Sequence, residues 1–132
     1  MARLTPVSVL LDTCALLAMA RGDLPVRAAR LLETAPEALV SAVCPWEVAI
    51  KVAAGKLQLT QAPAHWFRQL AERYHLQEVA LDATTACAAA ALPPVHRDPF
   101  DRVIVALALS RTLTILTSDE NTGRYSGVTT EW

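Results

Sequence analysis

Asp98-Pro99-Phe100-Asp101-Arg102 runs directly into Val103-Ile104-Val105-Ala106-Leu107-Ala108-Leu109, a stretch without a polar side chain. Asp98 and Pro99 read as a helix start, with the aspartate capping free backbone N–H groups and the proline at the first helical position. A helix apolar on all sides belongs in the middle of a fold. Asp101 lies in its first turn, and its i+3, i+4 and i+7 neighbours are Ile104, Val105 and Ala108. A carboxylate therefore heads a row that faces the interior. Burying it ionised and alone is strongly unfavourable, so it must be paired, bound to a metal, or open to water at a cleft. The plain alternative is a solvated acid that complements the helix dipole.

Glu47 raises the same question. Val43, Ile50 and Ala54 stand at i−4, i+3 and i+7 of a helical pattern, and Trp46 is adjacent. A pair with Lys51 has the favourable order, but on a helix surface it contributes only about 0.2 to 0.5 kcal/mol. That is too little to justify burying the charge. Asp12 follows one short apolar strand pattern and opens a helix, and Asp119 follows another and opens a helical turn. Each of these, like Asp82 and Asp98, has the alternative reading of a helix cap.

The acids become interesting when the elements that carry them are laid out. Strands are expected at 7–11, 38–41, 77–81 and 113–117, with an edge strand at 127–130. Helices are expected at 14–20, 24–34, 43–54, 64–74, 83–91 and from Pro99 to Arg111. Asp12-Thr13 and Asp82 supply N-caps, Arg21-Gly22-Asp23 ends one helix and caps the next, and Gly55 closes another. Leu92-Pro93-Pro94-Val95-His96-Arg97 is a stiff extended connection into the central helix. Strands alternating with helices predict an α/β domain with a mostly parallel sheet of four to five strands, flanked by helices on both faces. Ligands in such folds collect beyond the carboxyl ends of the strands. Asp12, Asp101 and Asp119, with Asp98 nearby, can all fall on that rim.

Carboxylates gathered there repel one another unless a cation intervenes. Oxygen ligands without His or Cys favour Mg2+ or Mn2+. These ions keep waters, accept phosphate oxygens and can activate water for in-line attack on a phosphodiester.

The 132 residues suit a single domain spanning 1–132. With 53% hydrophobic residues and few aromatics, the chain has the makings of a packed core and not of a disordered segment. A net charge of −1 excludes a global positive field, so a polyanion would have to be held by local basic groups or bound cations. Cys14, Cys44 and Cys87 are too widely spaced for a disulfide framework or a zinc site and read as small apolar residues in a reducing compartment. His65, His75 and His96 form no close pair, and no histidine metal site is expected. Arg3, the apolar stretch from Val7 to Ala18 and Ala18-Met19-Ala20 superficially resemble a signal peptide. Asp12 interrupts that stretch at a transfer cost of about 2.5 to 3.5 kcal/mol, so the expectation is a cytoplasmic protein with no membrane segment.

Four segments, in this order and spacing, resemble the PIN domains, and among them the VapC-like toxin ribonucleases. They are Leu10-Leu11-Asp12-Thr13, Pro45-Trp46-Glu47-Val48-Ala49-Ile50-Lys51, His96-Arg97-Asp98-Pro99-Phe100-Asp101-Arg102 and Leu116-Thr117-Ser118-Asp119, which together cover nearly the whole chain. The resemblance implies a three-layer PIN-like fold in which Asp12, Glu47, Asp101 and Asp119 form an acidic site for Mg2+ or Mn2+. It places Asp98 as an auxiliary acid or helix cap, Thr117 as an orienting group for Asp119 or a strand-pairing residue, and Arg102 and Arg97 as phosphate holders or neutralisers of the rim. It also implies an RNA substrate, a cognate antitoxin protein and a homodimer.

The expected function is a divalent-metal-dependent endoribonuclease, the toxin of a type II toxin–antitoxin pair. Two readings compete with it. One is a catalytically inactive PIN-like module that binds RNA or protein. The other is a phosphoacceptor or phosphohydrolase attacked at Asp12, disfavoured because no second Asp stands two residues on.

Overall fold

The structure, a computed structural model, describes residues 7–132. Arg3, part of the signal-like pattern, lies outside the described residues. The elements run β1 (Val9–Leu11), α1 (Thr13–Arg21), α2 (Val26–Thr34), β2 (Ala38–Ser41), α3 (Val43–Ala53), α4 (Pro63–Tyr74), β3 (Leu76–Val79), α5 (Ala83–Ala91), α6 (Pro99–Arg111), β4 (Thr114–Leu116), a 3-10 turn (Glu120–Arg124) and β5 (Thr129–Glu131).

The strands form one sheet in the order β3-β2-β1-β4-β5, and every pairing is parallel. β1, β2 and β4 are buried along their whole length, as a strand covered on both faces must be, whereas the edge strands β3 and β5 are partly exposed. From β1 the chain builds outward on one side through β2 and β3, then returns to build β4 and β5 on the other. The strand order therefore reverses between β1 and β4. Leu11 pairs with Leu116 there, and the backbone N–H of Asp12 donates to the Leu116 carbonyl. Such a switch point leaves a crevice outside the carboxyl ends of the two strands.

α6 is the buried helix that its composition predicts. Asp98 caps it by accepting from the Phe100 N–H, Pro99 fills the first position, and Val103 to Ala108 are all buried. It packs along α5 and meets α3 near its start. The described residues leave no buried side-chain nitrogen or oxygen without a partner. No helix among them is long and apolar enough to cross a membrane.

Several local expectations change. β1 starts at Val9 because Val7 is exposed, and β3 ends at Val79, with Leu81 out in solvent. Asp23 does not cap α2: its carboxylate pairs with Arg21, and α2 begins after Pro25 with no side-chain cap. The tail strand is one to two residues later than expected, at Thr129–Glu131, where it closes the β4 edge of the sheet. Of the cysteines only Cys44 is the buried apolar residue expected, since Cys14 and Cys87 are exposed.

Candidate functional site

Asp12 is the first residue beyond β1, so the sheet delivers it to the switch-point crevice. Its carboxylate caps α1 by accepting from the Ala15 N–H at 2.8 Å, yet it is only 8% exposed. Burial pushes its pKa above the usual carboxylate value. The Thr117 hydroxyl and the Ala15 N–H oppose that rise, and the charges of Asp119 and Glu47 add to it.

Asp119 reaches the same crevice from β4. Thr117, buried just past the end of β4, accepts the Asp119 N–H at 3.0 Å, while Asp119 Oδ1 accepts from Asn121 and starts the 3-10 turn. Thr117 thus contacts both strand-end acids.

Glu47 stands on the second turn of α3, and its side chain is 14% exposed. The reason for its burial differs from the apolar row expected from the sequence. Ile50 and Ala54 in that row are exposed, and Val43 alone is buried. Glu47 is instead held from α1: Thr13 Oγ1 donates to Oε1 at 2.7 Å, while Lys51 pairs with Oε2 at 3.1 Å. The lysine pair is therefore real, but it is one of two restraints on this carboxylate.

Asp101 comes from the first turn of α6. Its pKa is pushed up to about 6, chiefly by burial, then by the Asp98 charge, with smaller contributions from Glu47 and Asp12; His96 works in the opposite sense. Asp12, Glu47 and Asp101 also act on the buried Cys44 thiol, which burial above all pushes up to about 12. Four acids from four separate segments thus fall within reach of one another's charge. No arginine or lysine is among the groups that offset Asp12 or Asp101.

His96 is the residue that sequence reasoning missed. One ligand atom each of His96, Asp101 and Asp119 lie within 4.8 Å of one another. His96 Nε2 is 3.5 Å from Asp119 Oδ2 and 3.1 Å from Thr122 Oγ1, and its backbone N–H donates to the Tyr125 hydroxyl at 2.9 Å. Nothing in the local pattern pointed to it, because its partners lie in the 3-10 turn and at Tyr125, more than twenty residues away. His96 thus stands beside two of the acids, although its sequence spacing gives no sign of it.

Arg102 is corrected. Its guanidinium does not face the acids: all five of its N–H groups are engaged by backbone carbonyls, those of Ala89, Ala90, Leu92, Pro93 and His96. No donor remains for phosphate. Arg97 is exposed. Asp98 serves as the α6 cap and adds negative charge beside Asp101.

A buried Asp12 and the partly buried Glu47, Asp101 and Asp119, close enough to repel one another, suit a hard divalent cation. The family model for the PIN domain matches residues 9–128.

The chain belongs to the PIN domain family.

Within the family it is VapC-like. It is 33% identical over 97 residues to Ribonuclease VapC22 of Mycobacterium tuberculosis, an alignment covering 73% of each chain. This PIN domain also superposes on a chain of VapBC2 from Rickettsia felis, solved bound to a promoter DNA fragment, with TM-score 0.69 and 14% identity over 95% of this chain and 98% of that one. A chain of DNA-bound VapBC from Salmonella typhimurium gives TM-score 0.66 at 17% identity, covering 95% and 97%. One from a toxin–antitoxin complex of Klebsiella pneumoniae gives 0.64 at 19% identity, covering 94% and 98%. At these identities the structures establish the shared fold, a parallel five-stranded sheet flanked by helices.

Proposed function

We propose that this PIN domain is a divalent-metal-dependent endoribonuclease and the toxin of a type II toxin–antitoxin pair, a single domain working in the cytoplasm. The observation that supports the reading is that Asp12, Glu47, Asp101 and Asp119 lie close enough for their charges to act on one another, with ligand atoms of Asp101 and Asp119 within 4.8 Å and burial raising the pKa of Asp12 and Asp101. The name of the 33%-identical relative supports RNA as the substrate. The toxin–antitoxin and VapBC structures that share the fold support a cognate antitoxin as partner. A homodimer fits the same family.

Asp12, Asp101 and Asp119 would hold Mg2+ or Mn2+, which when bound supplies charge neutralisation for the scissile phosphate and lowers the pKa of water. Glu47, fixed by Thr13, shares in holding the ion or orients the attacking water. Thr117 keeps the Asp12 and Asp119 ends of the site in register, and Asp98 keeps the start of α6 in place. Phosphoryl transfer of this kind depends mostly on positioning and preorganised charge, which is what these restraints provide. Trp46, 54% exposed beside Glu47 and edge-on to Phe100 at 5.0 Å, offers a face on which a base of a single strand can stack. In a chain with no excess of positive charge, stacking supplies affinity that a basic surface otherwise would.

The test is cleavage of single-stranded RNA in the presence of Mn2+ or Mg2+. The wild-type protein is expected to cut, and both chelation by EDTA and Asp101→Asn are expected to stop it. RNA binding without cleavage would favour the inactive-module reading, and cleavage by Asp101→Asn at the wild-type rate would overturn the mechanism.

A further inference from the structure

We infer that Arg102 is a positioning residue for the metal site and that it acts through His96 on Asp119, an inference that rests on the metal-nuclease reading above. The need for it begins in the sequence of the connection it grips. α5 ends at Ala91, and a helix end leaves carbonyls without intrahelical partners. The residues that follow are Leu92-Pro93-Pro94, and neither proline has an N–H to offer. The orphan carbonyls must find donors elsewhere. Arg102, in the first turn of α6, donates to five carbonyls of this connection; Ala89 and Pro93 also accept from the Leu92 and Val95 N–H groups, whereas Ala90, Leu92 and His96 are held by the guanidinium. Nε donates to Ala89 at 3.0 Å, Nη2 to Ala90 at 3.2 Å and Leu92 at 2.7 Å, and Nη1 to Pro93 at 3.2 Å and His96 at 3.1 Å.

The last of these bonds reaches the site. His96 is fixed on one side by Arg102 at its carbonyl and on the other by the Tyr125 hydroxyl at its N–H. Its ring then stands between Thr122 and Asp119, with Nε2 hydrogen-bonded to the Thr122 hydroxyl at 3.1 Å and 3.5 Å from Asp119 Oδ2. Asp119 needs such a restraint. It sits on a short 3-10 turn and not on a long helix, and Oδ2 is the oxygen left after Oδ1 has capped that turn. The planar five-donor fork explains why the residue is arginine, since a lysine offers three donors from one point and cannot span five carbonyls.

The experiment is a double-mutant cycle read by Mn2+ affinity, with calorimetry on the full chain and circular dichroism to confirm that each variant is folded. Arg102→Met and His96→Ala are each expected to weaken Mn2+ binding by about 10- to 100-fold, as removal of an outer support of a metal site does. The double variant is expected to be no weaker than the worse single one, because both act along one path. In cleavage assays kcat should fall more than KM. Losses that multiply in the double variant overturn the inference. So does unchanged Mn2+ affinity in His96→Ala, a variant that leaves the Arg102 contacts in place if Arg102→Met fails to fold. An imidazole nitrogen coupled directly to Mn2+ in its spin-echo spectrum would make His96 a ligand and overturn it as well. A wild-type protein that takes up no Mn2+ overturns the metal-nuclease reading itself, and this inference with it.

Discussion

The hydroxyl of Thr13 donates to the carboxylate of Glu47 at 2.7 Å, joining the first turn of α1 to the second turn of α3 across 34 residues of chain. Because Thr13 follows Asp12, the bond couples the strand-end acid to the helix-borne one. Neither can shift without disturbing the other. Thr13→Val keeps the shape of the buried side chain and removes the donor, so Glu47 loses its inner restraint and keeps only Lys51. Mn2+ affinity is expected to fall about tenfold or more, with Thr13→Ser close to wild type. Calorimetric titration of both variants checks this, and equal affinities in Thr13→Val and wild type would count against it.

Asp101 sets a dependence on pH. Its ordinary pKa of 3.8 rises to about 6 in the folded chain, and that of Asp12 rises as well. The folded state therefore holds these protons more tightly than the unfolded chain. The stability they contribute is fully present below the unfolded value and is lost as pH rises through the folded one. For Asp101 the window runs from about 4 to 6. Their part in the melting temperature of the metal-free protein thus declines across that window, and Asp101→Asn flattens the decline and raises the melting temperature at neutral pH. Melting curves of both proteins from pH 4 to pH 8 in EDTA, analysed as the difference between them, test this; an Asn variant less stable than wild type at neutral pH would contradict it.

Divalent ions should reverse that trend. A cation that binds only the folded state stabilises it by about 2.7 kcal/mol at a hundred times its Kd, and it binds the ionised acids. Added Mn2+ is expected to raise the melting temperature at pH 7 and to do so weakly at pH 4, where Asp101 keeps its proton. An equal rise at both pH values would place the ion elsewhere on the protein.

Trp46 gives a prediction about substrate. Loss of base stacking costs about 1 to 3 kcal/mol per base, so Trp46→Ala should raise KM for single-stranded RNA about 5- to 150-fold and leave kcat near wild type. Trp46→Phe should retain most of the affinity. A change of molecular mass in light scattering, with KM unaltered, would show that this exposed face serves contact between protein chains instead.

Much of this architecture was open to inference from residue order. The burial of Leu10-Leu11 and Ile115-Leu116, the caps at Asp12, Asp82 and Asp98, and the apolar run of α6 are local patterns that a strand or helix imposes on its own sequence. Parallel alternation then placed Asp12 and Asp119 on one rim. Contacts made by single side chains across the fold were not open in the same way. The charge of Arg102, which suits a phosphate holder or a neutraliser of the rim, is visible in the sequence, and its five carbonyl partners are not. His96 looked solitary because Thr122 and Asp119 approach it only after β4 has been laid beside β1. The apolar row that draws attention to Glu47 is mostly exposed, and the threonine that holds it lies on another helix.

The most direct test is Mn2+ titration of the wild-type protein beside Asp12→Asn and Asp119→Asn, two changes separated by nearly the length of the chain. A shared ion predicts one binding event in the wild type that both substitutions weaken strongly, with each variant still folded. Mn2+ binding that survives both substitutions unchanged would contradict a common metal centre.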